Sequence, residues 1–315
     1  MPDKDNNFRS LRYLAATCVV FQHSFNLLGI VTIPTGWIGL EAFFVISGYL
    51  VAQSYARDPS LTFFKKRIFR IVPAFIAATL FTAFIIGPLV TTLNLGDYLS
   101  NPQALLYPLN AFGHDWLPGV FENNPFPNAV NGSLWSLPIE FLMYIVLFGI
   151  GMMGLMKKNW LVLIYLATLA FVLATNRGFM GIDPYPHFIF FSAGMALTQI
   201  QTNNRQALFA AGALAISLAT PYSIPVMCLT FPYLVIWLST LKIDFLRVLN
   251  GAGDYSYGLY VFAFPIQQTI VHALKPEQPL VLFALTMLIA LPIAIVSWHA
   301  LEKPALNLLK RPNAA

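Results

Sequence analysis

The chain has 315 residues, 57% of them hydrophobic and only 10% charged, with a mean hydropathy of +0.67. Soluble domains carry about 25% charged residues, so this chain lacks the polar surface for a water-soluble fold, while its 27 Phe, 13 Tyr and 6 Trp exclude disorder. Two Cys exclude a disulfide scaffold and a cysteine-based metal cluster, and long unbroken apolar runs exclude the short alternating strands of a transmembrane β-barrel. An all-α, polytopic transmembrane helical bundle remains.

A helix that crosses the bilayer core needs about 20 apolar residues. In chain order the candidate spans are Leu11–Ile30, Trp37–Tyr55, Phe69–Val90, Leu134–Leu155, Trp160–Thr175, Pro186–Ile200, Ala207–Ala219, Ile224–Leu241, Tyr255–Ala273 and Leu280–Ala300. This gives about ten spans, the fifth to seventh being short and interrupted by breakers. With the N-terminus in the cytoplasm and the spans alternating, every one of the 18 Lys and Arg except Arg177 and Lys275 falls on the cytoplasmic side. That asymmetry predicts cytoplasmic N- and C-termini and a multi-pass protein of the cytoplasmic (inner) membrane. It also assigns the net charge of +5 and the pI of 9.2 to topology, with no nucleic-acid partner.

Residues 1–315 read as a single integral membrane domain. The first apolar run is too long for a cleavable signal peptide and contains Arg12 and His23. The largest extramembrane piece is an extracytoplasmic loop over 91–132, which holds Pro102, Trp116, Pro118, Pro125 and Pro127. No internal repeat is visible, which argues against an inverted-repeat transporter.

Ionisable groups inside spans are costly and mark function. Arg12 and His23 are eleven residues apart, about 1,100° of helix, so they share one face about 16 Å apart along the axis. Arg12 is expected at the cytoplasmic interface and His23 past mid-membrane, where an imidazole suits a general base. A snorkelling, topology-setting Arg12 and a hydrogen-bonded core His23 are the plainer readings. Arg67 and Arg70, at i and i+3 beside Lys65 and Lys66, could bind phosphate at the inner surface or contact anionic lipid.

Glu140, several residues into the fourth span after Pro138, needs a partner, a proton or a water cavity. Glu41 is a similar candidate at the outer side of the second span. Asp254 and Glu302 are expected to pair locally or cap helices. His187, His272 and His299 lie near span ends and are expected to bond at the interface. His114 and Asp115 belong to the outer loop. Cys18 and Cys228 read as packed thiols. Asn131-Gly-Ser fits a glycosylation sequon but abuts a span.

These segments together resemble the acyltransferase-3 family of integral membrane acyltransferases. The matches are Phe8-Arg-Ser-Leu-Arg12 followed by His23, the Phe-Phe-x-x-Ser-Gly signature within Gly36–Tyr49, and Arg67-Ile-Phe-Arg70-Ile-Val-Pro73. Trp135-Ser-Leu-Pro-Ile-Glu140, Ser256-Tyr257-Gly-Leu-Tyr260 and Glu302-Lys303-Pro304 follow in family order along the chain. Many members carry a His after the Ser-Tyr-x-Leu-Tyr segment; here that position is Ala263. The resemblance is to the form without a C-terminal hydrolase-like domain, as in O-acetyltransferases of bacterial surface polysaccharides, including O-antigen and exopolysaccharide.

The resemblance implies transfer of an acetyl group from cytoplasmic acetyl-CoA to a sugar hydroxyl. It implies no permanently bound cofactor and no metal; the partners are acetyl-CoA, a glycan acceptor and the lipid bilayer. Arg12, Arg67 and Arg70 would take the acyl-CoA. His23 would act as base or carry the acyl group, with Glu140 orienting it or binding sugar. Ser47, Tyr49, Glu41, Trp135, Ser136 and Tyr257 would line the substrate cavity. Succinyl transfer, or another acyl group or acceptor on the same fold, is the nearest alternative. A proton-coupled transporter or flippase using His23 and Glu140 is the alternative from a different class.

Overall fold

The computed structural model describes residues 6–112, 116–175, 184–244, 246 and 253–309. Lys4, Arg177, Arg247, Lys310 and Arg311 of the charge-topology reading, and His114 and Asp115 of the outer loop, lie outside the described residues.

The described chain is helical, with a single isolated antiparallel bridge between Thr91 and Val120. In order the helices are α1 (Phe8–Asn26), α2 (Thr35–Arg57), α3 (Thr62–Phe81), α4 (Gly87–Val90), α5 (Leu95–Ser100), α6 (Pro102–Asn110) and α7 (Ser136–Met152). They continue with α8 (Lys158–Ala174), α9 (Pro184–Leu197), α10 (Asn204–Ser217), α11 (Ser223–Thr240), α12 (Ser256–Leu274), α13 (Pro279–Ser297) and α14 (Lys303–Leu308). Wide i→i+5 turns at Thr82–Ile86 and Trp298–Glu302 join α3 to α4 and α13 to α14 without a break.

Each of the ten apolar segments in the sequence falls on a helix. Among the described residues, four helical runs are long and apolar enough to cross a membrane: Thr35–Arg57, Thr62–Val90, Ser223–Thr240 and Pro279–Leu308. Shorter apolar helices cover Ser136–Met152, Asn159–Ala174 and Pro186–Leu197. The loop expected over 91–132 is partly helical. Asn94 caps α5 by accepting from the Asp97 N–H, and Asn101 caps α6 ahead of Pro102.

The contacts divide the chain into two compact units. The first comprises Met1–Arg12, Trp37–Phe63 and Ile139–Ala252; it contains most of α2 and α7 and all of α8, α9, α10 and α11. Within it α8 packs on α9, α10 on α11, and α9 on α11. Helices α2 and α9 meet main chain to main chain. A Cβ on Gly48 would lie 2.0 Å from the Phe191 carbonyl oxygen, and one on Gly194 would lie 2.1 Å from that of Val45. In a membrane, where lipid is as apolar as Leu, small residues of this kind let helices pack closely.

The second unit comprises Tyr13–Gly36, Phe64–Pro138 and Gly253–Ala315. Its centre is α12, fully buried from Ser256 to Gln268 and packed along α13. Pro265 lies inside α12 and has no N–H to give to the carbonyl of Val261, one turn earlier. The Asn131 side-chain amide fills that place, donating to the Val261 oxygen at 2.8 Å. Asn131 is 1% exposed, so the sequon asparagine serves as an internal donor.

Candidate active site

In the second unit, α1 carries His23. The imidazole is half-buried and meets the Phe264 ring edge-on, with centroids 5.0 Å apart and planes at 84°. The helix around it is tied to α12 by Gln267, a fully buried residue. Gln267 Nε2 donates to the Val20 carbonyl at 3.0 Å and to Ser24 Oγ at 2.7 Å, and Ser24 donates to the same Val20 oxygen at 3.0 Å. Val20 and Ser24 flank His23, and Phe264 precedes Gln267 by three residues, so one face of α12 holds both the ring and the clamp. Gln267 Oε1 is buried without a hydrogen-bond partner.

Helix α3 carries Arg67 and Arg70. Arg70 forms an ion pair with Asp254 at 2.6 Å and lies over the Trp298 ring, 5.5 Å from its centroid. Asp254 also accepts from Ser256 Oγ at 2.6 Å. It therefore pairs with a basic group distant in sequence while also bonding at the start of α12. Two expected cavity residues of this unit are engaged in helix contacts. Tyr257 donates from its hydroxyl to the Ile71 carbonyl at 3.0 Å, and Ser136 shares a 2.7 Å hydrogen bond with the Tyr260 hydroxyl. Trp135 is half-buried. Glu302 is fully buried and accepts from Ser297 at 3.0 Å.

In the first unit, Ser47 on α2 and Glu140 on α7 come together. Ser47 Oγ donates to Glu140 Oε1 at 3.0 Å and lies 3.3 Å from the Tyr144 hydroxyl. Tyr144 donates to that same Oε1 through a short hydrogen bond. Glu140 thus has the partners that a carboxylate within an apolar helix needs. Tyr144 was not singled out from the sequence, although a hydroxyl at i+4 from Glu140 lies on the same helix face.

Glu41 is paired inside the first unit. It is 0% exposed, and its Oε1 lies 2.6 Å from Nδ1 of His187, itself 1% exposed and stacked on Phe44. His187, in the first turn of α9, is therefore the buried partner of Glu41. Nothing in the local sequence links positions 146 residues apart. Arg12 sits over the Phe43 ring at 5.8 Å, and Tyr49 stacks on Phe8 at 5.3 Å. His23 belongs to the second unit and Glu140 to the first.

These residues lie in segments that a known family shares. The family model described as an acyltransferase domain, acyltransferase-3, matches residues 5–299. The chain belongs to the acyltransferase-3 family. It is 29% identical over 325 residues to an O-acetyl transferase of Shigella phage Sf6, covering 95% of this chain and 96% of that protein. It is 27% identical over 354 residues to Nodulation protein 10 of Rhizobium leguminosarum bv. viciae, covering 96% and 94% respectively. No solved structure matches. The chain is thus an O-acyltransferase with a helical membrane architecture.

Two motif positions of this acyltransferase have a plain packing reason. Gly48 of the Phe-Phe-x-x-Ser-Gly segment admits the Phe191 carbonyl, and the preceding Ser47 reaches Glu140. Tyr257 and Tyr260 bond to Ile71 and Ser136, within the second unit.

Proposed function

We propose that the protein transfers acetyl from cytoplasmic acetyl-CoA to a sugar hydroxyl of a bacterial surface polysaccharide or its lipid-linked precursor. The observation that carries this reading is similarity over 95% of the chain to a protein named O-acetyl transferase. In this reading the chain lies in the inner membrane with about ten spans and both termini cytoplasmic, as its Lys and Arg distribution favours.

His23 is the general base. Its neutral imidazole takes the proton of the acceptor hydroxyl as the hydroxyl oxygen attacks the thioester carbonyl. Collapse of the tetrahedral intermediate breaks the carbon–sulfur bond. The imidazolium returns its proton to the departing thiolate, giving the O-acetyl ester and free coenzyme A. The edge-on Phe264 ring fixes the plane of the imidazole, and the Gln267 clamp holds the helix that carries it.

Arg12, Arg67 and Arg70 bind the anionic donor. Arg70, paired with Asp254 at 2.6 Å, contributes a fixed guanidinium, with Arg67 one turn away on α3. Glu140, held by Ser47 and Tyr144, is a fixed acceptor for a sugar hydroxyl.

The test is mass spectrometry of surface glycan from cells expressing wild type or His23→Ala at matched protein level. Wild type adds the mass of an acetyl group and the variant does not. Full acetylation by the variant would remove His23 from the chemistry, and an unchanged glycan with active wild type would reject the glycan acceptor.

A further inference from the structure

The 91–132 segment contains a built surface that the transfer chemistry does not use. Trp116, Phe126, Pro127, Asn128 and Ala129 line an open cleft of about 580 Å³. Trp116 and Phe126 are 40% and 46% exposed, so two large aromatic side chains are accessible to a ligand. Among the described residues, none that lines the cleft is ionisable.

The wall of the cleft is held in an unusual shape. The Ala129 N–H donates to the Pro127 carbonyl at 2.9 Å, closing a three-residue turn with Asn128 at its centre and φ of +64°. That is the left-handed form of the γ-turn, rare and strained for a residue with a side chain. A buried clamp maintains it. Gln268 of α12, fully buried, donates through Nε2 to the carbonyls of Phe126 at 2.8 Å, just before the turn, and of Ala129 at 2.7 Å, its last residue. Asn124 in turn donates to Gln268 Oε1 at 2.8 Å and to its main-chain oxygen at 3.0 Å. Backbone strain that the surroundings over-determine is a mark of ligand sites.

We propose that this cleft is a saccharide-binding subsite that holds a sugar residue of the acceptor by stacking on Trp116 and Phe126, an inference that rests on the glycan-acceptor reading above. Aromatic faces accept the C–H faces of a pyranose, and a side-chain amide offers both a donor and an acceptor to hydroxyls. The volume is within the range of small-molecule sites, roughly 300–1,000 Å³. The clamped turn holds Asn128 in the cleft lining before any sugar arrives, which lowers the ordering cost of binding.

The full chain in nanodiscs is titrated with oligosaccharides cut from base-deacetylated surface polysaccharide of the native host, and acetylation of the same oligosaccharides is measured in parallel. Trp116→Ala and Phe126→Ala each raise the Kd and KM for oligosaccharide about tenfold, leave kcat within twofold and leave acetyl-CoA binding unchanged. Trp116→Tyr, which keeps an aromatic face, restores most of the affinity and separates stacking from folding. Unchanged oligosaccharide affinity in stable Ala variants overturns the subsite while the glycan-acceptor reading stands. Changed partition into lipid with unchanged sugar affinity overturns it in favour of an aromatic membrane anchor. Wild type that consumes acetyl-CoA but neither binds nor acetylates oligosaccharide rejects the glycan reading, and the subsite with it.

Discussion

The Glu41–His187 pair offers the sharpest energetic test. Both side chains are essentially inaccessible, and their nearest atoms lie 2.6 Å apart. Glu41 Oε2 is buried without a hydrogen-bond partner, so the pair is only partly satisfied even in the intact protein. His187→Ala removes the bond on Oε1 and leaves the whole carboxyl group unpartnered. Removing one partner of a buried pair costs about 3–5 kcal/mol. At roughly 2 °C per kcal/mol for a chain of this size, the midpoint should fall by roughly 6–10 °C. Glu41→Gln keeps an acceptor for His187 and should cost less. Replacing both residues by apolar ones of similar volume, Glu41→Met with His187→Phe, should recover most of the loss, because the desolvation cost disappears together with the attraction. The assay is a thermal-unfolding series in one detergent for wild type, both single apolar variants and the double variant. If the two single losses simply add in the double variant to within about 0.5 kcal/mol, the residues are uncoupled and the reasoning fails.

Gln267→Leu should shift the midpoint by less than about 2 °C, because it removes an orphaned buried acceptor along with two donated bonds, whereas Gln267→Ala adds a cavity and should cost about 2 kcal/mol or more. Both should lower kcat more than they raise the KM for donor if the clamp sets the pose of His23; unchanged kcat in both would count against this. Asp254→Asn removes the charge facing Arg70 and should destabilise by about 1–2 kcal/mol, discounted for partial exposure of the pair. The same change removes the carboxylate that offsets Arg70 and should tighten acetyl-CoA binding several-fold by calorimetry; weaker binding would remove Arg70 from the donor site. Asn131→Ala leaves the Val261 carbonyl without its donor and should cost about 1–3 kcal/mol in unfolding free energy, with loss of less than about 0.5 kcal/mol contradicting the helix-repair role.

The helical membrane architecture was legible because it depends on long local patterns. The ten apolar segments all fall on helices, and the motif residues from Arg12 to Glu302 are signposts in chain order. What was not legible depends on pairing across the chain. Asp254 could be expected to find a cation, but not Arg70, 184 residues away. The internal partner of Glu41 lies on α9, and nothing near Pro184 or His187 announces it. Tyr144 could have been found from Glu140 by helical spacing alone. The helices within 91–132 were hidden because each is only a turn or two long and depends on an Asn cap for its start. The strained turn at Asn128 is created by Gln268, a residue on a distant helix, and so has no local signature beyond Pro127 before it.

The reciprocal glycine contacts between α2 and α9 also limit how the first unit can move. Gly48 faces the Phe191 carbonyl and Gly194 faces the Val45 carbonyl, with the same three-residue offset on each helix. A slide by one helical turn, about 5.4 Å, would press a side chain into a main-chain oxygen. The two helices therefore have one register and act as a strut. Glu41 and Ser47 are both mounted on that strut, within seven residues of Gly48. Any opening of this unit to admit substrate has to come from the helices around the strut, while the strut keeps Glu41 and the Ser47 hydroxyl that donates to Glu140 at a fixed spacing along α2.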